Sequence, residues 1–182
     1  IDASGATTIR AMINGMGGAD TLTGGAARDT INGGAGNDVL DGGSGTDQLT
    51  VAADANLATT DTQTTGDGTD TFSNFEVIVL RGGAGANVLD ASDATLPTIL
   101  RGAAGNDTLI AGAGVDRLEG NSGTDRVELS GTSVVLTDAS FNGTDSIISI
   151  EGVDILAEAT ASILDASQFT LTPVNLVGGP GN

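Results

Sequence analysis

Cysteine, histidine, lysine, tryptophan and tyrosine are all absent from this chain of 182 residues, and phenylalanine occurs only four times. Without cysteine or histidine the chain has no thiol or imidazole chemistry and no zinc, haem or iron–sulfur site of the usual kind. Without lysine it has neither a P-loop nor a Schiff-base mechanism. No apolar run is as long as a membrane span or the core of a signal peptide. These absences exclude most familiar catalytic and transition-metal chemistries.

Negative charge dominates the composition, with 24 acidic residues against six basic ones and a formal net charge of −18. Such a chain repels nucleic acid, whose binding depends on cationic neutralisation of phosphates. High net charge, few aromatics and 29 glycines are typical of disordered segments, yet 38% of the residues are hydrophobic and they are evenly spaced. We therefore expect order to come from repetition or from a bound cation.

A nine-residue repeat, called a row here, runs through much of the chain. Its pattern is Gly-Gly-x-Gly-x-Asp-x-U-x, where U is apolar, and its places are numbered one to nine. Seven rows in two blocks follow the pattern and begin at Gly15, Gly24, Gly33, Gly42, Gly102, Ala111 and Gly120. An outlying row begins at Gly82 and has Asn87 where the aspartate belongs. An apolar residue in every row argues against a flexible linker.

Each place in the row has a physical reason. Glycine at positions one, two and four permits positive φ and close backbone approach, so the first six residues are predicted to form a turn. The last three are predicted to form a short strand whose apolar middle residue faces inward. We expect the inward residues of each block to stack as one ladder, formed by Leu22, Ile31, Leu40 and Leu49 in the first block and by Leu109, Leu118 and Val127 in the second.

Stacked rows also stack their acids. Neighbouring strands lie roughly 4.8 Å apart, and two carboxylates about 5 Å apart repel by roughly 3 kcal/mol at an effective dielectric of about 20. Repeated along the stack, that cost rivals the stability of a small domain. Hard dications relieve it, and flexible loops that offer only oxygen ligands suit Ca²⁺ better than Mg²⁺. The sequence thus predicts several bound calcium ions.

The rows at 33–41 and 42–50 match the pattern at every defined position, and the set resembles the RTX (repeats-in-toxin) family of calcium-binding nonapeptide repeats. The resemblance implies an all-β fold, a right-handed parallel β-roll or β-helix stabilised by calcium between turns, with two rows in each turn. It also implies export by a bacterial type I system. In the family, the carbonyls of positions two and four and the carboxylate of position six face the carbonyls of positions one, three and five two rows on.

Carried onto this chain, the resemblance implies three paired calcium sites. One joins Gly25, Ala27 and Asp29 to Gly42, Ser44 and Thr46; another joins Met16, Gly18 and Asp20 to Gly33, Ala35 and Asn37; the third joins Ala103, Gly105 and Asp107 to Gly120, Ser122 and Thr124. Further ligands along the same turns are Gly34, Gly36, Asp38, Gly43, Gly45, Asp47, Asp70, Gly112, Gly114, Asp116, Asp125 and Asp145. Met16 and Ala27 replace glycines, which predicts strained turns or weaker sites there, and the neutral Asn87 argues against a site in its row.

A longer period of 75 residues overlies the rows: Asp70, Glu76, Asp90 and Ser92 recur as Asp145, Glu151, Asp165 and Ser167. We therefore divide the chain into blocks 1–86 and 87–182 of one continuous solenoid, a segment of a longer array. For Glu76 and Glu151 we weigh a metal-binding or catalytic role against a carboxylate that bonds loop amides or faces water, and favour the second interpretation. Residues 59–65 are predicted to form an exposed loop, and the runs Val77–Leu80 and Ser146–Ile150 to form buried strands.

The sequence predicts a non-catalytic, calcium-binding segment of a secreted bacterial protein. Two kinds of parent protein remain open. One is a surface-layer or adhesin-type protein at the cell surface, in which copies of the array assemble into a lattice or fibre. The other is a secreted hydrolase or toxin, in which the repeats form a tail module. Contact with an anionic glycan through calcium is a further alternative, while no nucleic-acid partner and no membrane span are expected.

Overall fold

Short β-strands account for all the regular structure in the described part of the computed structural model, namely residues 1–52, 57–60, 63–65, 68–131, 133–137, 140–141, 145–148, 150, 152–157, 163–168 and 174–177. Within these ranges no helix has the length and apolar character needed to span a bilayer. The strands are β1 Met12–Asn14, β2 Thr21–Thr23, β3 Thr30–Asn32, β4 Val39–Asp41, β5 Gln48–Ala52, β6 Leu57–Thr60, β7 Gln63–Thr65, β8 Thr69–Ser73, β9 Val77–Arg81, β10 Val88–Asp93, β11 Thr98–Ala104, β12 Thr108–Ile110, β13 Arg117–Ser122, β14 Arg126–Gly131, β15 Ser133–Thr137, β16 Ser140–Phe141, β17 Asp145–Ile148, β18 Gly152–Ala157, β19 Ile163–Gln168 and β20 Val174–Val177.

The strands form two sheets, and successive rows alternate between them. The first sheet has the order β1-β3-β5-β9-β11-β13-β17-β16-β15-β19, and the second has the order β2-β4-β8-β7-β6-β10-β12-β14-β18-β20. Within the row blocks the pairing is parallel and joins residues two rows apart, such as Ile13 with Ile31 and Leu22 with Leu40. Two rows therefore make one turn of an all-β parallel β-roll, which confirms the predicted fold class.

The core lies between the two sheets and takes one apolar residue from each of the three-residue strands β1, β2, β3, β4 and β12. Leu22 and Leu40 belong to the second sheet, whereas Ile31 and Leu49 belong to the first, and all four are at most 1% exposed. The prediction of a single ladder per block is therefore wrong: two ladders face each other. The reason is that each glycine turn carries the chain across to the other sheet, so consecutive rows cannot stack on one another.

Longer strands widen the core beyond the nonapeptide pattern. The strand β5 runs one inward residue further, to Val51, and β14 does the same at Leu129; both side chains are buried. In β9 the three residues Ile78, Val79 and Leu80 are buried, as the run predicted. The run at 146–150 was also predicted to be buried. Ile147 and Ile150 are buried there, but Ile148 is exposed.

Two antiparallel excursions interrupt the parallel stacking. The strands β6 and β7 form a hairpin that lies between β8 and β10 in the second sheet, and β15 and β16 lie between β17 and β19 in the first sheet. The prediction of an exposed loop at 59–65 is wrong for the described residues there, since 59–60 and 63–65 are strand and Thr59 is buried. A threonine-rich stretch suits a strand as well as a loop.

The 75-residue period places equivalent strands in opposite sheets. Asp90 lies on β10 in the second sheet, while its counterpart Asp165 lies on β19 in the first. One period thus advances the roll by an odd number of half-turns, so the two excursions enter different sheets. Strand pairing continues through the boundary between 1–86 and 87–182, where β9 pairs with β11; that division stays a prediction.

Candidate metal centre: the stacked glycine turns

The glycine turns connect the two sheets and stack along the two edges of the roll. Turns that begin at Gly15, Gly33, Gly82, Gly102 and Gly120 lie along one edge, and turns that begin at Gly24, Gly42 and Ala111 lie along the other. Stacked neighbours are bonded through the backbone: the amide of Ala35 donates to the Met16 carbonyl, and the amide of Gly18 to the Ala35 carbonyl, both at 2.8 Å. Each turn therefore faces the turn two rows away, which is the pairing that the family resemblance implies.

The carbonyl groups of stacked turns point toward one another. A Cβ placed on Gly34 or Gly36 would collide with the carbonyl oxygen of Met16 or Gly18, the corresponding positions of the row before on that edge. In the opposite direction, a Cβ placed on Gly15 would collide with the carbonyl oxygen of Gly33. The carbonyl oxygens of positions two and four thus point toward the next row on the edge, and that of position one points toward the row before. A ligand set shared between two rows requires this arrangement.

The position-six carboxylates form a hydrogen-bonded ladder along each edge. In three of them one oxygen accepts the backbone N–H of the position-six residue two rows earlier: Asp38 accepts from Asp20 at 2.8 Å, Asp47 from Asp29 at 2.7 Å, and Asp125 from Asp107 at 2.9 Å. These acids lie inside the turns, and the position-six acids that are at most 2% exposed are Asp29, Asp38, Asp47, Asp107, Asp116 and Asp125. The ladder thus fixes most of the predicted carboxylates in buried, ordered positions.

Acids outside the complete rows extend these ladders. Asp70 accepts the N–H of Asp38 at 3.0 Å, and Glu76 accepts the N–H of Asp47 at 2.5 Å. The interpretation of Glu76 as a carboxylate bonded to a loop amide is confirmed. Its counterpart Glu151 lies outside the described residues.

Two residues outside the rows donate to ladder carboxylates and were not predicted from the sequence. The amide of Ala11 donates to Asp29 at 2.6 Å, and Thr98 donates to Asp116 through its amide at 2.8 Å and its hydroxyl at 2.7 Å. Neither residue lies in a nonapeptide row, so the pattern gave no signal. The only available signal was that each lies 18 residues, the length of two rows, before the aspartate to which it donates.

The second carboxylate oxygen of several of these acids has no protein partner. The Oδ2 atoms of Asp20, Asp38, Asp47 and Asp107 are inaccessible to solvent and accept no hydrogen bond. An unpartnered polar atom inside a protein costs about 1–3 kcal/mol, and more when it is charged. In a calcium-free fold, therefore, these oxygens are a source of instability.

The unpartnered oxygens border the narrow space between stacked rows. A Cβ placed on Gly15 would lie 2.7 Å from Oδ2 of Asp20, beside the Gly33 carbonyl. A carboxylate oxygen and a carbonyl oxygen from the row two further on therefore border the same space. Among the described side chains no three acids gather at one point, which leaves backbone carbonyls to complete an ion's shell. An all-oxygen donor set on glycine turns fits Ca²⁺.

Burial and like charge disfavour ionisation of Asp47, one acid of the ladder. Burial raises the pKa of Asp47 above its ordinary value of 3.8, and the neighbouring charges of Asp29, Glu76 and Asp41 add to the increase despite the hydrogen bond from the Asp29 amide. The ionised form of Asp47 is therefore less favourable in the folded chain than in the unfolded one.

The pKa of Glu119, on the face of the first sheet, is lowered rather than raised. Burial tends to raise the pKa of Glu119, but hydrogen bonds from Arg117 and Arg101 outweigh that effect and lower it. Arg101 donates from Nε to Glu119 at 2.8 Å, and Arg117 donates to the other carboxylate oxygen. Arginine thus compensates the acid on the sheet face.

Parallel strands, stacked glycine turns and buried carboxylates define a calcium-binding β-roll. A family model for the RTX calcium-binding nonapeptide repeat matches the chain in four copies, at residues 14–49, 79–94 and 98–127. No curated protein matches the chain. The matched residues are RTX calcium-binding nonapeptide repeats, and they form a calcium-binding repeat region of a secreted protein; the region holds several ions.

The structure brings together the backbone of the predicted site pairs, while their role as ligands stays a prediction. Each of the three predicted pairs occupies neighbouring turns on one edge. The turn of Gly112 and Gly114 instead stacks on the carbonyls of Ala91, Ala94 and Leu96, which belong to no row. Asp145 begins β17, and its side chain lies outside the described part of the structure.

The predicted strain appears at one of the two substituted glycines. Met16 has a φ of 75°, a left-handed conformation that costs a non-glycine residue roughly 1–2 kcal/mol. Ala27 is not among the positive-φ residues, whereas Ala103 and Asn121 are, with φ of 81° and 73°. Positions two and four have positive φ in the same rows, and the row of Ala27 is not one of them, so the strain depends on the row as well as on the place within it.

Replacing Gly34 by alanine should destabilise the roll strongly. The residue has a φ of 89°, and a Cβ there would collide with the Met16 carbonyl. We expect the denaturation midpoint in calcium to fall by at least the amount that corresponds to the roughly 1–2 kcal/mol of left-handed strain. Gly17→Ala is the matched control on the same edge, because its Cβ would meet only Ala35 O at 3.8 Å. Equal shifts for the two variants would contradict the stacking geometry.

Acidification should stabilise the calcium-free fold. Since the pKa of Asp47 is raised on folding, its contribution to stability is largest at low pH and is lost as pH rises through the folded-state value. In chelator, we expect the far-UV circular dichroism signal of strands to grow as pH falls from 7 toward 4. Asp47→Asn should weaken this dependence and favour folding at pH 7. Glu119→Gln, which removes a favoured charge, should not; a strand signal that falls on acidification would refute the argument.

Proposed function

We propose that the chain is a non-catalytic structural array of the surface-layer or adhesin type, exported by a bacterium and folded by calcium outside the cell. The observation that carries this proposal is the set of buried carboxylate oxygens beside carbonyls of the stacked rows. Low calcium inside a cell leaves those oxygens uncompensated, and abundant calcium outside binds them. Because ions bind the folded rows and not the unfolded chain, their binding free energy stabilises the fold.

The placement of the acids supports a structural role rather than a catalytic one. Glycoside hydrolysis by a pair of carboxylates needs both of them around one cleft. Here Asp38 and Asp47 lie on opposite edges of the roll, and each accepts a backbone amide of its own edge. The acids are thus used by the scaffold itself.

The long period supports an array rather than a short appendage. Two excursions one period apart enter opposite sheets, so the roll presents them on alternate faces as the chain advances. A regular alternation of this kind gives an extended particle with repeated surface features, which suits a lattice or fibre. The alternative parent, a secreted hydrolase or toxin with this segment as its tail, needs only the calcium-binding rows.

Calcium should convert the chain from an unfolded to a strand-rich state. We expect far-UV circular dichroism in chelator at pH 7 to show little strand, and a titration with calcium to produce the strand signal cooperatively. Magnesium at equal concentration is the control for charge screening, and it should be much less effective because it demands smaller, near-octahedral sites. A strand signal that is complete in chelator would overturn the proposal that calcium drives folding.

Self-association should accompany calcium binding if the segment is part of a surface array. Sedimentation velocity at matched ionic strength should show species larger than the monomer in calcium, and a monomer in magnesium. A monomer in calcium with a complete strand signal would instead favour the tail-module alternative.

A further inference from the structure

The rows fall into two conformational classes at position two. In five rows, called open rows here, the position-two residue has positive φ; these residues are Met16, Gly34, Gly43, Ala103 and Asn121. In three rows, called closed rows, the position-two residue is not among the positive-φ residues; these are Gly25, Gly83 and Gly112. The nonapeptide pattern does not separate the classes, since Gly25 and Gly34 occupy the same place in it.

In the closed rows the position-six side chain is held by its own row. The amide of Gly25 donates to Asp29 Oδ2 at 2.6 Å, and the amide of Gly112 donates to Asp116 Oδ2 at 3.1 Å. In the third closed row, the amide of Gly83 donates to Asn87 Oδ1 at 2.9 Å. The oxygen atom that would meet an ion therefore already accepts a hydrogen bond.

In three of the five open rows the position-two amide donates to a side chain two residues earlier. The amides of Met16, Gly34 and Gly43 donate to the side chains of Asn14, Asn32 and Asp41, two residues earlier, at 3.0–3.1 Å. These are Asx turns, which compete for the amide that a closed row gives to its own carboxylate. The corresponding acids are Asp20, Asp38 and Asp47, whose Oδ2 atoms are buried without a hydrogen bond.

The neighbouring turn accounts for two of the closed rows. Gly25 stacks on the carbonyls of Ala3 and Ala6, and Gly112 stacks on those of Ala91 and Ala94. Both supporting turns begin in an Asp-Ala-Ser segment and lack the glycine pattern. A row that stacks on such a turn has no nonapeptide before it on its edge, although Gly24 still faces the Gly42 carbonyl of the row after it. In both rows the carboxylate takes the amide of its own row.

We propose that calcium binds through the carboxylates of the open rows, and that the closed rows of Asp29, Asn87 and Asp116 are calcium-free joints in which a backbone amide takes the place of the ion. This inference rests on the calcium binding of the repeats. It changes the assignment of the row at 24–29: its carboxylate is a structural acceptor and not a ligand.

The test counts bound ions by native mass spectrometry, with affinities from isothermal titration calorimetry, on the whole chain. Asp47→Asn and Asp107→Asn, in open rows, should each remove one ion or weaken calcium binding at least tenfold. Asp29→Asn and Asp116→Asn, the matched variants in closed rows, should leave the ion count unchanged and lower the thermal unfolding midpoint in calcium, because an amide loses its acceptor. Loss of an ion from either closed-row variant would overturn the proposal.

The variant Asn87→Asp covers the case in which other variants do not fold. It gives the closed row at 82–87 the aspartate of the nonapeptide pattern, so the pattern alone predicts one more bound ion. We expect no additional ion, since the Gly83 amide still holds the side-chain oxygen; an added ion would refute the two-class assignment. A wild-type chain that binds no calcium at all would instead refute the calcium-binding function, so the two failures are distinguishable.

Discussion

The hydrogen bond from a position-six amide to the carboxylate two rows further on is the contact on which the turns of this roll depend. It repeats from Asp20 to Asp38 and Asp70 on one edge, and from Asp29 to Asp47 and Glu76 on the other. Each bond satisfies one backbone donor and fixes one acid inside the stack. The same bond therefore sets the spacing of the turns and buries negative charge, and a chain with net charge −18 can tolerate that burial only with compensation.

Buried negative charge is compensated differently at the edges of the roll and on the faces of its sheets. On the face of the first sheet, Glu119 has two arginine partners, and its charged form is favoured. At Gly15 and Gly34 no such partner fits between the stacked turns, because a Cβ there would already collide with a carbonyl oxygen. A space too small for a methyl group beside backbone oxygens excludes a side chain, yet it can admit a single ion.

Much of this fold was predictable from the sequence, because the information is local. The glycine pattern predicted the turns, the apolar place predicted the inward residues, and the two-row stacking followed from the family resemblance. The division of Leu22 and Ile31 between two sheets was not predicted, since it depends on the reversal of the chain at each turn. The excursion at β6 and β7 was missed because threonine-rich segments do not separate strand from loop.

The class of each turn was not predictable from the nonapeptide alone, and the reason is physical. The amide of position two has two competing acceptors, the aspartate four residues ahead and the side chain two residues behind. In the first block Asn14, Asn32 and Asp41 take that amide, whereas Thr23 precedes the closed row at 24–29. In the first block, the deciding residue is thus the one two places before position two. In the second block, Arg101 and Glu119 occupy that place before open rows and cannot act as Asx acceptors, so the stacked neighbour must contribute as well. A nine-residue consensus omits both influences, so it overestimates the number of equivalent sites.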